Sequence, residues 1–144
     1  MLVKQILKSK GDVGVISVTP DTPVSEAVSI LAERRIGGLI VSTDGETADG
    51  ILSERDIVRA FAVRGAGCVT EKVSEMMTRK PLCCTQQDTS DAVLGRMTDG
   101  RFRHMPVVED GKLVGIVTIG DVVKARLDEL ALEKTALEGM IMGY

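Results

Sequence analysis

The chain of 144 residues states one pattern twice. Gly50-Ile51-Leu52-Ser53-Glu54-Arg55-Asp56-Ile57-Val58 returns as Gly115-Ile116-Val117-Thr118-Ile119-Gly120-Asp121-Val122-Val123, a shift of 65 (115 − 50) that keeps a glycine, a hydroxyl and a carboxylate in register. Upstream, Ala27, Leu31, Ile36, Ile40 and Val41 align with Val93, Met97, Phe102, Pro106 and Val107 at a shift of 66 (107 − 41). At the front, Val3 to Leu7 aligns with Val73 to Met77 at a shift of 70 (73 − 3), which puts the extra residues of the first copy in the Ser9 to Gly14 loop. Length changes of this kind belong in loops. The chain is therefore two copies of one supersecondary unit.

Each copy predicts the same order of elements. Val15 to Val18 reads as a strand. Thr22 as N-cap, Pro23 at the first helical position and an acid in the first turn open a helix that runs to about Arg35. Ala27, Ile30 and Leu31 recur on it at helical spacing, and Gly37-Gly38 ends it. Strands Leu39 to Ser42 and Gly50 to Leu52 flank the Asp44-Gly45 turn, and a helix follows from Glu54 to about Val63. In the second copy the strands are Leu82 to Thr85, Met105 to Val108 and Leu113 to Val117, with Asp110-Gly111 as a hairpin turn. Its helices run from Thr89 to about Asp99 and from Gly120 to about Gly139. The expected fold class is α+β: two β-α-β-β-α repeats, residues 1–68 and 69–144, each a three-stranded sheet with helices on one face. Such a layer leaves its other face bare, and two copies cover each other.

Composition narrows the function. A formal net charge of −3 argues against the basic face that nonspecific nucleic-acid binding requires. Aromatic residues are 2% of the chain and Trp is absent, so a bound base is expected to lie against aliphatic walls. No apolar run approaches the roughly 20 residues of a membrane span, and Met1 to Lys8 lacks a long apolar signal region, so the expected compartment is the cytoplasm. Three cysteines, Cys68, Cys83 and Cys84, make a poor disulfide framework and read as reduced thiols, two of them in a strand. One histidine and no CxxC spacing make a poor metal site. There is no GxxxxGK loop and no GxGxxG after a strand, and a Cys/His pair would have to assemble by chance. No catalysis is expected.

The chain closely resembles a tandem pair of CBS domains, the cystathionine-β-synthase module. The resemblance rests on Gly-h-h-Ser/Thr-x-x-Asp (h, apolar) in both copies, on Arg103-His104-Met105-Pro106-Val107-Val108 before a glycine turn in the second, and on the order of elements. It implies a pseudo-twofold module in which two clefts between the repeats bind adenosyl ligands. AMP, ADP and ATP lead, and NAD(H) and S-adenosylmethionine share the adenosine handle.

Taken alone, Ser53-x-x-Asp56 and Thr118-x-x-Asp121 are capping boxes where a strand turns into a helix. With the resemblance, the same turns present a hydroxyl and a carboxylate to a ligand. An ionised carboxylate is acceptor-only with two oxygens, which suits the vicinal diol of a ribose. Phosphate needs positive charge, and Arg55, Arg103 and His104 are the candidates, with Met105-Pro106 fixing the backbone beside them. Arg101 reads as part of a solvated loop. The corresponding stretch of the first copy, Ile36-Gly37-Gly38-Leu39-Ile40, lacks both charges and the proline, so Gly38 either marks close backbone approach or a weaker cleft. Thr19 and Thr85, at equivalent strand ends, stand either as strand terminators or as ligands to ribose or phosphate.

In the last helix Val123, Leu127, Leu130, Lys134, Leu137 and Ile141 step by fours and threes, the spacing of a coiled-coil seam. The first half of that stripe serves the chain's own core. The rest outruns it and predicts a homodimer, as the resemblance also implies. The expected protein is a stand-alone sensor acting on an unidentified partner in trans. Its rivals are a structural dimerisation protein with an empty cleft and a redox or metabolic enzyme using Cys83 or His104.

Overall fold

The computed structural model of the chain describes residues 1–11 and 14–143, so Asp12 and Val13 of the predicted Ser9 to Gly14 loop lie outside the described residues. Helix α1 spans Val3–Ser9, strand β1 Ser17–Val18, α2 Val24–Arg34, β2 Gly38–Val41, β3 Gly50–Ser53 and α3 Glu54–Arg64. After a 3-10 turn over Ala66–Thr70 come α4 Val73–Met76, β4 Thr78–Arg79, α5 Ser90–Gly100, β5 His104–Glu109, β6 Lys112–Thr118 and α6 Ile119–Met142.

The helix ends show where local rules held and where they did not. Ser53 and Thr118 cap α3 and α6 as full capping boxes, and Thr89 caps α5 through the Ala92 N–H. Thr22, by contrast, does not cap α2: Pro23 takes that position in extended conformation, and the Thr22 hydroxyl meets that of Thr19 at 3.0 Å. Nor do the glycines end α2. Arg35 does so at φ 53, with its N–H donating to the Leu31 carbonyl, and Arg101 ends α5 in the same way at φ 56.

The two sheets are unequal. One has four strands in the order β1-β2-β3-β4, with β1 parallel to β2 and the other pairs antiparallel. The other has only β5 and β6, antiparallel, with an irregularity at Val107/Val108. The predicted strand over Leu82 to Thr85 shrinks to one parallel bridge, Cys84 to Val107, at the place equivalent to the Val18–Val41 pair. Proline is the reason. Cys84 donates to the Pro106 carbonyl at 2.9 Å and accepts from Val108 at 2.8 Å, but the next rung toward Leu82 needs an N–H that Pro106 lacks.

Two apolar cores result, and each contains a helix from the other end of the repeat. Val3 and Ile6 of α1 pack with Val93, Met97, Met105, Val107, Val117 and Val122 of the second copy. Val73 of α4, flanked by Met76 and Met77, packs with Val24, Ala27, Leu31, Leu39, Val41 and Leu52 of the first. Fully burying each of the larger of these side chains contributes about 1.5–3 kcal/mol. The exchange explains the motif glycine. A Cβ on Gly115 would lie 2.8 Å from Leu7 Cδ2, and one on Gly50 would lie 2.9 Å from the Thr78 carbonyl oxygen, so both glycines make room for the exchanged segments.

Candidate functional site

The loops and helix starts at the junction of the two sheets enclose two cavities. The first, about 380 Å³, is lined by Ser53, Glu54, Arg55, Asp56 and Arg59 at the start of α3, by Thr78 and Lys80 to Leu82, and by Gly100 to His104. The second, about 860 Å³, is lined by Lys4, Leu7, Lys8 and Lys10 of α1 and its end, by Ile16, by Arg35 to Gly38, and by Arg103, His104, Gly115, Ile116 and Thr118. Both volumes fall in the range of about 300–1,000 Å³ typical of small-molecule sites.

In each motif the cap and a free acceptor coexist. Asp56 Oδ2 accepts the Ser53 N–H at 2.9 Å and the Ser53 hydroxyl at 3.1 Å, while Ser53 Oγ accepts the Asp56 N–H at 3.3 Å. Asp121 Oδ2 accepts the Thr118 N–H at 2.9 Å and the Lys10 ammonium at 2.8 Å, and Thr118 Oγ1 accepts the Asp121 N–H at 3.1 Å. Each carboxylate accepts through Oδ2 alone; Oδ1 of each aspartate has no hydrogen bond among the described residues.

The first cavity is cationic on an acidic chain. Arg55, Arg59, Lys80, Arg101 and Arg103 line it against only Glu54 and Asp56, and among the described residues none of the five forms an ion pair. All five are exposed, and a cluster of cations without ion-pair partners along one cleft attracts a multiply charged anion. Arg59, Lys80 and Arg101 were not singled out as ligands in the sequence. Arg59 follows Arg55 by one helical turn, the one local signal that could have found it. Arg101 is exposed in the turn between α5 and β5, as a solvated loop residue is, and it also lines the cavity. Phe102 lines the same cavity, so the wall is not purely aliphatic.

His104 stands between the two cavities and lines both. A Cβ on Gly38 would come within 2.9 Å of its Cδ2 and Nε2 atoms, so the group that closely approaches Gly38 is this imidazole. Positions 38 and 104 are equivalents in the repeat, Gly38 opposite Ser53 and His104 opposite Thr118. At a pseudo-twofold axis equivalent positions meet, and only one can carry a large side chain. Burial, reinforced by Arg103 and Lys10 against Glu54 and Asp121, holds the His104 pKa below its ordinary range, so the ring is neutral at pH 7 and offers a hydrogen bond rather than a fixed charge.

Other predicted residues lie elsewhere. Met105 is fully buried in the second core, and Pro106 is buried in the sheet with its carbonyl bonded to Cys84. Thr19 and Thr85 line neither cavity: Thr19 bonds Thr22, and Thr85 Oγ1 accepts the Gln87 N–H at 3.3 Å. The three cysteines are free thiols; burial pushes Cys84 up to about 12, far from the reactive range. Among the described residues no group of three or more His, Cys, Asp or Glu is placed to hold a metal ion, and no helix is long and apolar enough to cross a membrane.

The fold and site define a tandem-repeat module whose two halves exchange helices and meet across paired clefts. The chain belongs to the CBS domain family: the family model matches residues 3–63 and 73–128. The chain is 34% identical to the mitochondrial CBS domain-containing protein CBSX3 of Arabidopsis thaliana, over 98% of this chain and 72% of that one. Other Arabidopsis relatives are longer, and the chain spans 24% of their length. Among solved structures, the CBS-domain containing protein ATU1752 of Agrobacterium tumefaciens superposes with a TM-score of 0.82 at 44% identity, covering 88% of this chain and 99% of that one. The CBS domain protein PAE2072 of Pyrobaculum aerophilum, complexed with AMP, superposes with a TM-score of 0.76 at 26% identity, covering 92% and 99%.

Proposed function

We propose that this chain is a non-catalytic regulatory module that binds an adenine nucleotide, AMP, ADP or ATP, in the cleft beside Ser53 and Asp56. The observation that carries the reading is the pairing of a half-used carboxylate with five cations that have no ion pair among the described residues. Asp56 Oδ1 takes the ribose diol, Arg55, Arg59 and Arg103 take the phosphates, and Ile51, Leu82 and Phe102 cover the base. The AMP complex of the Pyrobaculum relative supports the same ligand class. NAD(H) fits the same handle; S-adenosylmethionine, which brings a positive charge, fits a cationic cleft less well.

Signalling follows from differential binding. Ligands of different phosphate charge pull unequally on α3 of one repeat and on the loop before β5 of the other, and so bias the arrangement of the repeats, 1–68 and 69–144, and the affinity for a partner supplied in trans. The module acts as a homodimer through α6, and its free thiols suit the cytoplasm. Calorimetry with AMP on wild type and Asp56→Ala tests the reading: loss of a charged hydrogen bond to ribose weakens binding about ten- to hundred-fold. Equal affinities would refute the assignment.

A further inference from the structure

The two clefts carry the same lysine in different states. Lys10 and Lys80 are equivalents at the shift of 70 that relates α1 to α4. In the first cleft the chain leaves α4 early to form β4, which pairs with β3 at Ile51, and Lys80 then lines the cavity with no ion pair among the described residues. In the second cleft α1 runs on to Ser9, the edge of β6 away from β5 carries no strand at Ile116 among the described residues, and the Lys10 side chain lies there instead. Its ammonium donates to the Ile116 carbonyl at 2.9 Å and to Asp121 Oδ2 at 2.8 Å.

We infer that Lys10 is a latch that closes the ribose position of the second cleft and makes the two clefts unequal; this rests on the proposed nucleotide reading. Lys10 lines the second cavity and Asp121 does not, so the ammonium stands between the cavity and the carboxylate. Asp56, by contrast, lines the first cavity directly. The base of the latch is fixed, because the Lys10 backbone N–H bonds the Ile6 carbonyl at 3.1 Å at the end of a helix packed in the core. The arm is a flexible side chain. Asp121 Oδ1 is left without a hydrogen bond among the described residues, but the ammonium on Oδ2 already engages the carboxylate's charge. A ribose in the second cleft therefore competes with the lysine, whereas in the first cleft it meets Asp56 with no such competitor.

Calorimetric titration of AMP into wild type, Lys10→Met and Lys10→Met/Asp121→Ala tests the latch. The expected result is one tight site in wild type and a second site strengthened about three- to thirty-fold in Lys10→Met, a gain that the added Asp121→Ala removes. Two equal sites in wild type would overturn the latch and leave the nucleotide reading standing, as would a second site unchanged or weakened in Lys10→Met. Binding in Lys10→Met alone, lost with Asp121→Ala, would uphold the latch and refute the first-cleft reading. No binding in any protein would overturn both.

Discussion

Replacing Gly38 with alanine should destabilise the wild-type protein and not the His104→Ala protein. The added Cβ would stand 2.9 Å from His104 Cδ2 and Nε2 and 3.0 Å from Cγ, so three atoms of a rigid ring must move together. His104 sits in a paired strand and cannot simply swing away. Overpacking of this kind costs about 1–3 kcal/mol, or roughly 4–8 °C in Tm at 2 kcal/mol for a domain near this size. Gly38 itself is outside the left-handed region, so alanine fits its backbone. Once the ring is gone, the substitution should therefore be neutral or stabilise by about 0.4–1 kcal/mol through the unfolded chain. Urea unfolding of the four proteins at pH 7.5, where the imidazole is neutral, measures the coupling as a double-mutant cycle. Equal destabilisation in both backgrounds would refute the claim that positions 38 and 104 exclude each other at the pseudo-twofold axis.

His104 also sets a pH dependence. Its folded pKa is depressed, chiefly by burial, so its contribution to stability is complete above the unfolded value of about 6.5 and is lost as pH falls from there through the folded value. Denaturation midpoints of wild type and His104→Gln from pH 8 to pH 5 should diverge below about 6.5, and parallel curves would contradict the burial of this ring. The first half of the α6 stripe does not serve the chain's own core as expected: Val122 and Ala125 are the buried residues, while Val123, Leu127, Leu130, Leu137 and Ile141 are 41%, 61%, 48%, 59% and 85% exposed. Sedimentation should show a homodimer at micromolar concentration that Leu130→Asp/Leu137→Asp converts to monomer, and a monomeric wild type would sink the dimer.

Much of the fold was legible because its signals are local. The capping boxes at Ser53 and Thr118, the Asp110-Gly111 hairpin and the starts of α3 and α5 are written within a few residues of where they act. The misreadings have equally particular causes. Arg35 adopts a left-handed conformation that glycine usually supplies, so α2 ends where the sequence puts it, near Arg35, but the residue that ends it is Arg35 and not the Gly37-Gly38 pair. Pro106 was read as part of the binding stretch, and its missing N–H instead removed a strand from the second sheet.

The doubled unit, the α-β-β-α part of each copy and the two carboxylates are readable from the chain alone, because duplication, periodicity and capping are properties of neighbouring residues; α1, α4 and β4, and the loss of the strand at Cys84, are not. Which residues share a cleft is set by packing. The exchange of α1 and α4 carries Lys10 to Asp121 and Lys80 to the cavity of Asp56, and the close approach of the two halves brings Arg103 and His104 against the start of α3. Those meetings depend on packing between segments far apart in the chain. No spacing rule reaches that distance: the motif glycines are small because Leu7, Met77 and the Thr78 carbonyl lie on them.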